Sequence, residues 1–169
     1  VMKLYKYLFF LITFFFILSK LTYALEFRPM MSLELAKKMV DACEFKRSQT
    51  DWRPLNIAIV DSGADLILFR RQDGAFLGSV EIALAKAKSS AVIPVPTRVI
   101  AEIVYGKDGK PGRVPGLVHV DSLVAFPGGL PIKTADGHLI GAIGVSGARG
   151  DQDEECAQYA IDSVKELLK

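Results

Sequence analysis

The chain has 169 residues, half of them hydrophobic, and a formal charge of +2. One segment distorts these figures: residues 1–24 carry Lys3, Lys6 and Lys20, no acid, and an almost unbroken Leu/Ile/Phe run from Leu8 to Leu18. Without it 145 residues remain with a formal charge of −1, which excludes the dense phosphate-neutralising face of a strongly basic nucleic-acid binder and leaves one core of ordinary size rather than two large domains.

Residues 1–24 have the three parts of a secretory signal. Lys3 and Lys6 form the positive start, and the apolar run of 11 residues is short of the roughly 20 that span a bilayer. Thr22-Tyr23-Ala24 places small residues at the −3 and −1 positions. Cleavage before Leu25 is expected, leaving residues 25–169 as a single exported domain, periplasmic or secreted, with no membrane span; an uncleaved anchor is the alternative. In an oxidising compartment Cys43 and Cys156 can pair, or stay as two buried thiols. No CxxC or Cys/His cluster suggests zinc.

Ser32 is placed to cap a helix from Leu33 to about Lys46, whose apolar face is Leu35, Ala36, Met39, Val40 and Cys43. Leu55–Val60 and Leu66–Arg70 read as strands joined by the turn Asp61-Ser62-Gly63-Ala64-Asp65, an antiparallel hairpin. Ser79 caps a helix over Val80–Ala91, rich in alanine and suited to close approach by the sheet or by a second subunit. Pro94 and Pro96 stop it. Thr97 caps a shorter helix, Arg98–Tyr105, ended by Gly106. Lys107–Gly116 is an exposed loop. Strands follow around Val118–Ala125, Leu130–Lys133 and Leu139–Val145, the last two joined by Ala135-Asp136-Gly137. Asp151 then caps a final helix, with Glu154 completing a capping box. The order α-β-β-α-α-β-β-β-α describes an α+β sandwich of profilin-like type. An antiparallel sheet of about five strands carries helices on its faces, and the helices from the two chain ends share one face. Strands do not alternate with helices, as a doubly wound sheet requires.

Chemistry-bearing patterns are few. The glycines of Gly141-Ala142-Ile143-Gly144-Val145-Ser146-Gly147 fall inside a strand, where they suit close backbone approach rather than a nucleotide loop. His138 reads as a hairpin-tip residue. His119, entering an expected strand, is the candidate metal or heme-iron ligand, although an ordinary polar strand position explains it as well. Arg70 and Arg71 leave a strand where loops begin and suit a carboxylate or propionate. Lys86 lies mid-helix among small residues, where a cation needs a partner, a solvent face or a ligand. The acids Asp153-Glu154-Glu155 read first as complements to a helix dipole.

Arg70-Arg71-Gln72-Asp73-Gly74-Ala75, then Ser79-Val80-Glu81-Ile82-Ala83 and Lys86-Ala87-Lys88, resemble the middle of the GlcG/HbpS-like heme-binding proteins. So do Pro127-Gly128-Gly129-Leu130-Pro131-Ile132 and Ile140–Ala148 with Gln152-Asp153-Glu154, and the resemblance spans about residues 32–167. It implies a profilin-like fold, a homo-oligomer and, in some relatives, heme or iron binding. Lys86, Gly128-Gly129, Gln152 and Asp153 fall on the family's helix lysine, its GG and its QD. Two departures stand out: Ile93-Pro94-Val95-Pro96-Thr97 lacks the aromatic and Arg that relatives often carry, and Lys107–Gly116 is insertion-like. Neither histidine matches a family heme ligand by motif. The expected function is an exported small-molecule binder for heme or a related tetrapyrrole, with Arg70, Arg71, Lys86, Gly128, Gly129 and Asp153 in the site. An enzyme for a small hydroxy or oxo acid using Lys86 and Asp153, and a non-catalytic sensor or assembly module, stay open beside it. In the implied fold the first and last helices pack antiparallel, which brings Cys43 and Cys156 toward bonding reach.

Overall fold

The computed structural model describes residues 28–121 and 123–169. The expected secretory leader and the expected cleavage before Leu25 lie outside the described residues. Helix α1 (Leu33–Ser48) starts where Ser32 Oγ accepts the Leu35 N–H at 3.1 Å, and it buries Ala36, Met39, Val40 and Cys43. Strands β1 (Asn56–Asp61) and β2 (Leu66–Arg71) form the expected hairpin. Its turn is locked by Asp61 Oδ1, which accepts the N–H groups of Gly63 and Asp65 at 2.8 and 3.0 Å. Helices α2 (Ser79–Val92) and α3 (Thr97–Tyr105) follow, and α3 ends at Gly106, whose φ of 92° suits only glycine comfortably. Strands β3 (Gly129–Lys133) and β4 (Leu139–Ser146) make a second hairpin, and α4 (Gly150–Ser163) closes the domain.

Among the described residues the sheet has four strands in the order β2-β1-β4-β3, every neighbouring pair antiparallel. Among the described residues the strand expected around Val118–Ala125 is absent: Pro115–His119 is a 3₁₀ turn, and residues 120, 121 and 123–128 belong to no strand or helix. Alternating Val118, Val120 and Val124 suggested a strand, but β3 offers no full edge to pair with, because Pro131 has no N–H. The segment is tied to α2 instead, where Ser89 Oγ accepts the Val124 N–H at 2.9 Å.

Helices α1 and α4 cover one sheet face and enclose the larger core around Met39, Ile57, Ile59, Ile132, Ile143 and Val145. They are joined by the disulfide Cys43–Cys156, with α-carbons 5.0 Å apart. On the other face Ala83, Ala87 and Ala91 of α2 pack on Ala58, Val60 and Ala142. The alanine-rich helix thus meets its own sheet, so closely that a Cβ on Gly144 would lie 2.1 Å from the Ala83 carbonyl oxygen. Among the described residues no helix is long and apolar enough to cross a membrane.

Candidate functional site

Lys86 projects from α2 toward the end of the sheet, where the start of α4 comes within reach. It is 1% exposed and Asp153, in the first turn of α4, is 2% exposed. Lys86 Nζ donates to Asp153 Oδ2 and to the Val145 carbonyl oxygen, each at 2.8 Å, and lies 5.3 Å from the centre of the Phe126 ring. The other carboxylate oxygen, Oδ1, accepts the Ala148 N–H at 3.0 Å. Burial pushes the Lys86 ammonium below its ordinary range and Asp153 above its own; in each case the partner's charge and hydrogen bond oppose the shift. The result is a desolvated ion pair with its hydrogen bonds largely satisfied, linking layers on opposite faces of the sheet.

The paired glycines follow from that lysine. Gly128 has φ +123°, and a Cβ there would lie 2.5 Å from Lys86 Nζ. At Gly129 a Cβ would lie 2.4 Å from the Lys86 carbonyl oxygen, while its N–H donates to Thr97 Oγ1 at 2.9 Å. Thr97 is therefore the first residue of α3 and an anchor for the Gly-Gly strand entry, rather than a cap. At α4 the capping differs from expectation too. The helix begins two residues earlier, capped at Arg149 rather than Asp151, with Gln152 Oε1 accepting the Arg149 N–H at 3.1 Å. Asp151 and Glu154 instead hold Arg98 of α3, at 2.8 and 2.9 Å.

Above the pair opens a cleft of about 420 Å³ walled by Phe76, Ile82 and Phe126, with Ser79 and Ser146 also on its lining. Asn56 is fully buried between cleft residues: it faces Ser146 across β1 and β4, and its Nδ2 donates to the Phe76 carbonyl oxygen at 3.1 Å. Among the described residues its Oδ1 has no hydrogen-bond partner. A second, more polar cleft of about 350 Å³ meets the first at Ala148 and is lined by Asp51, Trp52, Arg53, Arg149 and Gln152.

Of the residues singled out in the sequence, Lys86, Gly128, Gly129 and Asp153 come together. Arg70 and Arg71 lie elsewhere. The Arg70 guanidinium is held by Asp41 and Glu44 of α1 at 2.5 and 2.7 Å, on the sheet face opposite α2, and these carboxylates raise its pKa further. Arg71 borders a separate polar depression with Arg47 and Asp73. His119 ends the 3₁₀ turn, outside the Lys86 cleft, next to an apolar groove formed by Leu117, Val120, Val92 and Ile93. His138 is exposed on the β3–β4 hairpin, 3.4 Å from Asp136. Among the described residues no group of three or more His, Cys, Asp or Glu is placed to hold a metal. Sequence reading missed Phe76, Phe126, Arg53 and Arg149. The one local sign was Phe76-Leu77, two large apolar residues between the loop glycines Gly74 and Gly78, 53% and 73% exposed.

Residues 31–162 match the family described as haem degrading protein HbpS-like. A 15.0 kDa Citrobacter freundii protein from the dhaT-dhaS intergenic region is 35% identical over 137 residues, 81% of this chain and 94% of that protein. A double mutant of Streptomyces reticuli HbpS superposes with a TM-score of 0.73 at 28% identity, covering 83% of this chain and 90% of the other. The PduOC chain of a PduOC:heme complex superposes with a TM-score of 0.69 at 27% identity, covering 80% and 95%.

Proposed function

The chain belongs to the HbpS-like family, and from that premise we propose that it is an exported protein that binds heme or a related tetrapyrrole in the cleft above Lys86 and Asp153. The observation that carries this reading is the cleft's chemistry. Phe76, Ile82 and Phe126 offer flat apolar surface, and the adjoining cleft offers arginines. A tetrapyrrole is a flat apolar ring with carboxylates on one edge, so these residues fit the ring and its acids. They do not supply an imidazole: neither His119 nor His138 lines either cleft. Heme, when bound, supplies a redox-active iron. The protein's own part is to exclude water from the ring with Phe76 and Phe126 and to hold the floor rigid through the Lys86–Asp153 pair. The exposed Phe76 and Leu77 at the mouth support a homo-oligomer in which a second copy covers the cleft. Export rests on the secretory pattern of residues 1–24.

A second reading is favoured by one observation. A buried lysine with a lowered pKa beside a carboxylate in a cleft is an arrangement that acid–base chemistry on a small hydroxy or oxo acid uses. Titration with hemin separates the two. Tetrapyrrole binding gives a saturable Soret change at about one equivalent per chain; its absence, together with turnover of a small oxo acid, favours the enzyme.

A further inference from the structure

Three cations at the cleft floor and on the elements around it are already neutralised. Lys86 is paired with Asp153, Arg70 with Asp41 and Glu44, and Arg98 with Asp151 and Glu154. The two arginines on the lining of the adjoining cleft differ. Among the described residues, neither Arg53 nor Arg149 has a carboxylate oxygen within 4.0 Å. Asp151 feels the Arg149 charge from farther away, but its Oδ1 already accepts from Arg98. Both arginines line the polar cleft that meets the main cleft at Ala148, and among the described residues Asp51 is the one acid on that lining, which leaves it net positive.

Their placement is specific. The Arg53 guanidinium carbon lies 5.0 Å from the centre of the Phe76 ring, and that ring also walls the main cleft. A guanidinium packed against a ring keeps N–H donors available for a carboxylate. The backbone of Arg149 is fixed by Gln152, whose side chain caps its N–H. Arg53 has a buried neighbour in Trp52 and a stiff one in Pro54. The two cations thus stand on anchored backbone at one end of an aromatic cleft.

Resting on the tetrapyrrole reading above, we infer that Arg53 and Arg149, rather than Arg70 or Lys86, bind the carboxylates of the ligand. The flat apolar part of that ligand lies against Phe76 and Phe126. A planar ring with acids on one edge fills both clefts at once. Paired forks of N–H donors recognise carboxylates two bonds at a time, and an unneutralised arginine gains more from such a ligand than one already held by protein acids.

The test compares hemin with hemin dimethyl ester, whose carboxylates are masked, by titration followed at the Soret band. It uses the wild type, Arg53→Ala/Arg149→Ala, and the control Arg113→Ala/Lys165→Ala, which removes the same charge from exposed positions elsewhere. The wild type is expected to prefer the acid over the ester by roughly tenfold or more, one charge-assisted bond's worth. The Arg53/Arg149 variant loses that preference and binds hemin as weakly as the ester; the control binds like the wild type. Circular dichroism checks that each variant folds, which two exposed substitutions permit. If the Arg53/Arg149 variant binds hemin within twofold of the wild type, or the wild type binds acid and ester equally, the assignment is overturned while tetrapyrrole binding stands. If the wild type binds neither compound, the tetrapyrrole reading falls and the assignment with it.

Discussion

Removing one member of the Lys86–Asp153 pair strands the other's charge in a site that is 1–2% exposed. In Lys86→Met the Asp153 carboxylate keeps only the Ala148 N–H and escapes by binding a proton. From an ordinary carboxyl value of 3.8, holding that proton at pH 7 costs at most about 4.4 kcal/mol, at about 1.36 kcal/mol per pH unit. The unfolded chain ionises above 3.8 while the folded variant stays protonated, so stability falls as pH rises. The ceiling at pH 5 is only about 1.6 kcal/mol. Asp153→Asn is the mirror image. Lys86 must shed its proton from an ordinary value of 10.5, with a ceiling of about 4.8 kcal/mol at pH 7 that shrinks to about 2 kcal/mol at pH 9. Both ceilings agree with the ~3–5 kcal/mol typical of breaking a buried pair. The double variant Lys86→Met/Asp153→Asn leaves no stranded charge and is expected within about 2 kcal/mol of the wild type. Urea unfolding of the disulfide-intact protein at pH 5, 7 and 9 measures all four forms. Losses below about 1 kcal/mol for both single variants at pH 7, or losses that do not move in opposite directions with pH, would refute the reasoning.

Reducing the Cys43–Cys156 bond opens a loop with a sequence separation of 113 and is expected to cost up to ~4.8 kcal/mol by loop entropy; an unchanged urea midpoint in reductant would contradict this. Gly128→Ala forces a side chain into φ +123° and onto Lys86 Nζ, for a loss of roughly 1–3 kcal/mol from the backbone alone; a thermal melt matching the wild type would show that the close approach is absent. Because no imidazole lines the cleft, iron-free protoporphyrin is expected to bind within about threefold of hemin, under about 0.7 kcal/mol. Far tighter hemin binding that His119→Ala abolishes would make His119 an iron ligand. Intact-mass measurement of exported protein is expected to find Leu25 first, and a mass retaining residues 1–24 would remove the cleavage site.

Much of this molecule is local and therefore legible in the residues. Ser32 caps α1 because a hydroxyl at that spacing reaches the Leu35 N–H whatever surrounds it. The Asp61–Asp65 turn closes through its own side chain, and Gly106 stops α3 through its backbone freedom. The apolar phases of α1 and α4 likewise announced a shared face, and with it the approach of Cys43 to Cys156. What depends on a partner distant in the chain was decided only by the tertiary structure. Alternating valines at 118, 120 and 124 look like a strand, yet a strand exists only where a neighbour presents free donors and acceptors, and β3 with Pro131 presents no complete row. Arg70, Lys86 and Arg53 are equivalent cations in sequence. Folding sets the first against Asp41 and Glu44, buries the second on Asp153, and leaves the third over Phe76 beside an open cleft. Charge is a property of each residue alone. Whether that charge is spent on the protein or free for a ligand depends on which carboxylates, 26 to 67 positions away for Arg70 and Lys86, arrive within hydrogen-bonding distance.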